Sequence, residues 1–510
     1  MKKITWLLII AVLLFNCTDL KEELNDTVTA DVAARTADPQ SVLESAYQAV
    51  RPFNTQDNIY VCQSHVTDEM AGPTRGADWD DAGIWRVLHT HNWTNSHEYI
   101  SRGYTTLLTG VFKSTQVLEF EPSAQQAAEA RFLRAFFAFH AVDNFGLVLG
   151  REPGEDLTSP PSITLKRADG IDFVISELES VMSDLPSSGS AGLASQNAAH
   201  ALLAKAYLNR AVYKATDPET NAASRGPFSF EAGDMNKVIQ NCDAIIGSGQ
   251  YALDDKYFDN FSPTNSDDSS ENIFVGLNDR GNNGSNTHSR WHMTLHYNQE
   301  PSGWNGFVTL SDLYDSFEPG DQRLKTTPDY FAGKTGLNAG FLIGQQYNKD
   351  GVALKDRDGN PLSFTKDFSL TASNDNNGLR VIKYPPDYVN NDSPGNDYVF
   401  LRYADVLLMK AEAILRGGSA TGGDTPMSLV NDIRSMRGTS PLLAVDLTVM
   451  LAERRRELYW EGWRRNDQIR FGTFLDATQE KPASSETYLL FPIPPSALSS
   501  NPNLTQNPGY

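Results

Sequence analysis

A chain of 510 residues with 40% hydrophobic and 10% aromatic side chains has enough apolar material for a large folded core. Its formal net charge of −21 excludes a nucleic-acid partner held through phosphates, because a polyanion would be repelled rather than release counterions. The three cysteines, Cys17, Cys62 and Cys242, form no C-x-x-C pair, which removes a thiolate metal site.

Lys2 and Lys3 precede an apolar run from Ile4 to Phe15, too short for a comfortable membrane span. The run ends on Leu14-Phe15-Asn16-Cys17, which resembles the lipobox of a bacterial lipoprotein, with Asn16 where a small residue is usual. Residues 1–16 are therefore expected to be a signal peptide and Cys17 the acylated N-terminus. Whether cleaved or kept as an anchor, this segment holds the chain to a membrane and outside the cytoplasm. Acyl chains contribute about 0.8 kcal/mol per buried methylene. Residues 17–37 read as a lipidated tether, and its acid-rich start (18–23) resembles a surface-export signal. Cys62 and Cys242 carry no flanking pattern, and their spacing leaves a disulfide and two free buried thiols equally open.

From residue 38 to 250 the pattern is helical. DPQSVLESAYQA (38–49) offers Asp38 as a cap and Pro39 at the first helical position. AAEARFLRAFFAFHAVDNFG (127–146) places Ala130, Leu133, Phe137 and Ala141 on one face and stops at Gly146. IDFVISELESVM (171–182) and the alanine-rich NAAHALLAKAYLNRAVY (197–213) follow, the latter with the small-residue spacing of a tetratricopeptide first helix. Between 251 and 400, Gly, Asn, Asp and Pro become dense, and large loops with short strands are expected. LKDRDGNPLSF (354–364) reads as a hairpin around Asp358-Gly359-Asn360. Its Asp356-x-Asp358-Gly359 hints at a structural calcium loop, but no acid stands at the bidentate position. Helical spacing returns over 401–510, with YADVLLMKAEAILR (403–416) and ERRRELYWEGWRRNDQIRFG (453–472). In the latter, Glu453 with Arg456, Glu457 with Arg454, and Glu461 with Arg464 or Arg465 are expected to pair locally. Leu458 and Trp463 would face inward, with the arginine stems covering apolar surface.

Motifs for catalysis are missing. AGKTG (332–336) has Pro328 where a phosphate loop needs its first glycine, and neither G-x-S-x-G nor H-E-x-x-H occurs. His288, His292 and His296 recur at intervals of four, as a metal triad would, without a carboxylate beside them in sequence. Asp78 and Asp80 could serve a glycosidase, but among 64 acids such pairs always occur.

The lipobox cysteine, RFLRAFFAFHAVDNFG, ALLAKAYLNRAVY, LRYADVLLMKAEAIL (401–415), the 453–472 segment and LFPIPPSALSSNPNLTQNPGY (490–510), in this order, resemble the SusD/RagB family of outer-membrane nutrient-uptake lipoproteins. The resemblance implies a mostly α fold in which tetratricopeptide-like helix pairs carry a loop-rich variable half with short strands. It implies glycan capture on the outer face of a Gram-negative outer membrane, without covalent chemistry or cofactor. It also implies a SusC-like TonB-dependent transporter as partner. Peptide capture, as in RagB-like members, is the alternative, and an extracellular glycosidase the more distant one.

The apolar face of a pyranose matches an indole, and Asp, Asn or Arg can take its equatorial hydroxyls. RGADWDDAGIWRVLHTHNW (75–93) supplies Trp79 flanked by Asp78, Asp80 and Asp81, with Arg75 nearby. Trp291, Tyr297, Trp304 and Asn305 supply more from the loop-rich half. Trp85 and Trp93 are expected to pin the loop to the scaffold, and Trp79→Ala to cost affinity but not thermal stability.

Overall fold

Ser123 and Gln126 cap the longest helix, Ala124–Phe145, reciprocally: each side chain accepts from the other's backbone N–H. Gly146 ends it in the left-handed region at φ 69°, where an L side chain would be strained. The computed structural model describes residues 38–278, 280, 281, 287 and 289–510. The leader 1–16, Cys17, the tether 17–37 and His288 lie outside the described residues. Residues 39–510 form one compact unit.

The scaffold is a run of helices, each packed on the next: Glu98–Val117, Ala124–Phe145, Arg167–Val181, Gln196–Lys214 and Ala232–Ser248. The last of these packs against Tyr403–Leu415, which packs against Pro426–Met436. The stack thus continues across the excursion 249–402. Small residues set how close the helices come. A Cβ on Gly110 would stand 2.3 Å from the Phe137 ring, and one on Gly170 2.7 Å from Val142. In Gln196–Lys214 the alanines at 198, 199, 201, 204 and 206 are buried, which lets neighbours approach from several sides.

The loop-rich excursion is closed at its base by two antiparallel strands, Asn272–Gly276 and Tyr398–Arg402. Inside it, the expected hairpin forms: Lys355 bridges Pro361, and the Asp356 carboxylate accepts from the Asp358 and Asn360 N–H groups at 3.0 and 2.8 Å. That carboxylate therefore organises the turn itself. No group of three or more His, Cys, Asp or Glu with metal-holding geometry occurs among the described residues.

Two expectations change here. The 453–472 segment is not one helix: Leu447–Leu458 and Arg464–Arg470 are separated by a turn in which Trp460 and Gly462 take positive φ. Of the local pairs expected, only Glu453 with Arg456 forms, at 2.6 Å, and Arg470 adds another with Asp467 at 2.7 Å. Glu457 instead receives Arg323 at 3.0 Å, and Arg402 and Arg437 at 2.8 Å each. Glu461 holds Arg402 and Lys383, while Arg454 reaches Asp405 and Asp467. Arg464 reaches Asp68 and Arg465 reaches Asp143. These groups are buried, where an ionic group needs partners on every side, and one helix turn cannot supply them. Leu458 and Trp463 do face inward. Cys62 and Cys242 are both buried and free.

Candidate functional site

The backbone of residues 75–83 is wound tightly. Arg75 and Asp78 exchange backbone hydrogen bonds at 2.8 and 2.9 Å around Gly76. Trp79, Asp81 and Ala82 all take positive φ, a costly run for non-glycine residues that side-chain anchors must hold. Trp85 Nε1 donates to Asp81 at 2.8 Å, and Arg86 pairs with Asp80 at 2.6 Å. The Trp79 indole donates to the Trp304 carbonyl at 2.7 Å and packs 5.2 Å from Phe307 and 5.7 Å from Trp85.

That winding brings Asp78, Trp79 and Asp81 to a cleft of 400 Å³ shared with Gln56, Trp85, Tyr99, Met293, Tyr297 and Trp304. Trp304 is 51% exposed and meets His292 edge to face, 4.9 Å between centroids. Trp79 is half-buried and lies against Gly306, where a Cβ would stand 2.2 Å from the ring. Gly306→Ala is therefore expected to displace the indole, so that its tryptophan fluorescence shifts while the helical circular dichroism stays. An unchanged emission spectrum would mean that the ring does not depend on that glycine.

One edge of the cleft is electrostatic. Arg357, at the tip of the 354–364 hairpin, reaches Asp78 at 2.7 Å and Asp375 through two nitrogens at 2.9 and 2.7 Å. Its guanidinium lies 4.5 Å over the Tyr297 ring. The Tyr297 hydroxyl donates to Asp78 at 3.4 Å, and burial with that carboxylate raises its pKa. Burial alone would raise the Asp375 carboxyl, but Arg357 and His296 hold it well below the ordinary range. His296 is buried 3.2 Å from Asp375, and burial pushes its own pKa down.

Of the residues singled out in the sequence, Asp78, Trp79, Tyr297 and Trp304 share the cleft. Four others do not line it. Arg75 is buried, its guanidinium spent on the Asn374 and Asn377 carbonyls, and burial lowers its pKa to about 10. Asp80 turns to Arg86, so Asp78 and Asp80 are not carboxylates facing each other across a cleft. Trp291 is buried in an apolar cluster with Leu295, Phe331 and Leu342. Asn305 is a buried turn residue at φ 55° that accepts from Arg380 at 2.7 Å. Trp85 and Trp93 are buried; Trp93 donates to the Tyr510 hydroxyl at 2.7 Å, and an edge of Trp85 reaches the cleft. Gln56, Tyr99 and Arg357 were not singled out in the sequence. Only Arg357 had a signal there, its place in the expected hairpin. The anchored indole also changes the expectation for Trp79→Ala, which now includes lost stability.

A larger groove of 790 Å³ lies between Glu98–Val117, residues 151–161 and the C-terminal tail, but among the described residues no tryptophan or carboxylate lines it. The smaller cleft combines tryptophan and tyrosine rings with carboxylate acceptors.

Known proteins set this geometry in context. Residues 259–483 match the model of the SusD family. The starch-binding protein SusD of Bacteroides thetaiotaomicron is 23% identical over 497 residues, covering 88% of this chain and 84% of its own. A SusD superfamily protein from Parabacteroides distasonis superposes with a TM-score of 0.70 at 21% identity, over 92% of this chain and 98% of that one. Surface glycan-binding protein A from Bacteroides thetaiotaomicron, solved in complex with laminarihexaose, superposes with a TM-score of 0.68 at 17% identity, over 92% and 98%. Residues 259–483 thus match the SusD family model, and along most of its length the chain is similar in sequence to SusD and shares the fold of SusD-superfamily structures.

Proposed function

We propose that this protein captures glycans at the cell surface, held to the outer membrane by acylated Cys17, and passes them to a SusC-like TonB-dependent transporter. The observation that carries the binding step is the joining of Trp79, Trp304 and Tyr297 with Asp78 and Asp81 in one cleft. Flat rings cover the apolar faces of sugar rings, and the carboxylates accept from hydroxyls at their edges. The relatives named above, one starch-binding and one solved with laminarihexaose, support a glycan over a peptide as ligand.

Trp304→Ala is the discriminating variant, because half of that side chain already faces solvent. Calorimetric titration of the soluble form with bound polysaccharide fragments is expected to show an affinity loss of about tenfold, or roughly 1.4 kcal/mol, with an unchanged melting temperature. Trp79→Ala is expected to lower both. Equal affinity in wild type and Trp304→Ala would place the site elsewhere.

A further inference from the structure

Among the described residues, the lining of the cleft contains two carboxylates, Asp78 and Asp81, and no lysine, arginine or histidine. The two guanidiniums at its edge are each engaged by two acids. Arg357 spends its fork on Asp78 and Asp375 while lying over Tyr297. Arg102, whose guanidinium lies 5.4 Å over the Tyr99 ring, pairs with Asp57 and Glu98. Asp81 adds a further acid, one oxygen of which takes the Trp85 N–H. Five carboxylates thus face these two guanidiniums. Arg75 and Arg380 lie buried behind Asp375 with their hydrogen bonds spent on backbone carbonyls and Asn305, so among the described residues neither edge arginine is left without an acid. The whole chain, at −21, adds to the same sign of field.

We infer that the cleft selects its ligand by charge, taking neutral glycans and rejecting those that carry carboxylate or sulfate groups. The inference rests on the glycan reading of the cleft and deepens it. A uronic acid brought beside Asp78 or Asp81 meets like charge in a partly desolvated pocket, and it must break an existing bidentate pair to find a cation. Neutral hydroxyls meet no such penalty, since both carboxylates are acceptors. Arg357 is a positioning residue in this arrangement: it fixes the Asp78 carboxylate and the Tyr297 ring rather than offering its own charge.

The test uses matched pairs. Neutral glucan and mannan oligosaccharides are titrated into the soluble protein beside the same oligosaccharides oxidised to carboxylates at C6, in low and in high salt. The expected result is binding of at least one neutral member, with its carboxylated counterpart weaker by about tenfold or more in low salt and by much less near 1 M, where the screening length is about 3 Å. Asp81→Asn is expected to narrow the low-salt gap, as a removed charge would and a removed packing contact would not. Equal or tighter binding of the carboxylated members overturns the charge selection and leaves glycan capture standing. Failure of every pair, neutral and charged, overturns glycan capture itself.

Discussion

Glu457→Ala is expected to cost most of the stability of this protein. The carboxylate is fully buried between three guanidiniums, those of Arg323, Arg402 and Arg437. Burial by itself would raise its pKa, and the three arginines hold it well below the ordinary range instead. Arg402 also reaches Glu461 and Glu271, Arg437 reaches Glu271, and Arg323 reaches Asp321 and Glu453. Removing one partner from a buried pair costs about 3–5 kcal/mol, because the other charge stays dry and unpaired. Here three cations lose a partner at once, against a total of about 5–15 kcal/mol for a folded domain. Denaturant titration should show a sharply lowered midpoint, or no soluble protein. Glu457→Gln keeps the shape and some of the hydrogen bonds, and is expected to fall between wild type and alanine. Lys256→Ala, which breaks an exposed pair with Asp329, is expected to change stability by less than about 1 kcal/mol. A loss below that figure for Glu457→Ala would mean that the network is dispensable. The consequence reaches the cleft: Glu271 and Arg323 belong to the loop-rich region, Glu453, Glu457 and Glu461 to the C-terminal one. The same ions therefore tie the loops that carry Tyr297, Trp304 and Arg357 to the scaffold.

The second large effect is acid sensitivity. Burial holds His91 and His140 neutral, down to about 3 and about 4. An imidazole in the unfolded chain takes its proton near pH 6.5. Between those values the unfolded chain binds more protons, so stability falls as pH falls, by roughly 3–5 kcal/mol per histidine when complete. Asp68 and Glu453 add to this lower down. Burial alone would raise both, but Arg455 and Arg464 hold Asp68, and Arg323 and Arg456 hold Glu453, at about 2. Their contribution is present above about pH 4.5 and lost as pH falls toward 2. Glu69 has the opposite sign. Burial raises it to about 8, so stability declines as pH rises from about 4.5 to 8. Thermal melts across pH 3 to 8 are expected to peak near pH 6.5, to drop steeply on the acid side and gently on the alkaline side. Glu69→Gln should flatten the alkaline side. A melting temperature that is level from pH 6.5 to 4 would contradict this assignment of the histidines.

The helices most legible in the sequence are those with local stop signals. Gly146 ended one, and the alanine spacing of 197–213 announced another. Glu98–Val117 is not legible as an element: EYISRGYTTLLTGVFKSTQV contains two glycines and six β-branched residues before its last position, so propensity argues weakly. Its packing against Ala124–Phe145 decides it, with Gly110 admitting the Phe137 ring. For the cleft, Trp79 with its acids, and Tyr297 and Trp304 in the loop-rich half, could be picked out by residue type. Which of those aromatics would be reachable could not, since Trp291 and Trp304 stand in similar company thirteen positions apart and one is buried while the other is half exposed.

By itself, then, the sequence determined the leader pattern, the helical scaffold interrupted by a loop-rich excursion, the family resemblance and the class of side chain that lines the cleft. These are written in local spacing and composition, which a chain carries before it folds. Only the tertiary structure decided who pairs with whom. Local partners for Glu457 and Glu461 were available one helix turn away, yet burial demanded several cations at once and drew Arg323, Lys383 and Arg402 from more than fifty residues distant and Arg437 from twenty. The same holds for the cleft. Arg357 reaches Asp78 across 279 positions and Trp79 donates to Trp304 across 225, contacts fixed by how the loops close on the scaffold and by no pattern nearby in the chain.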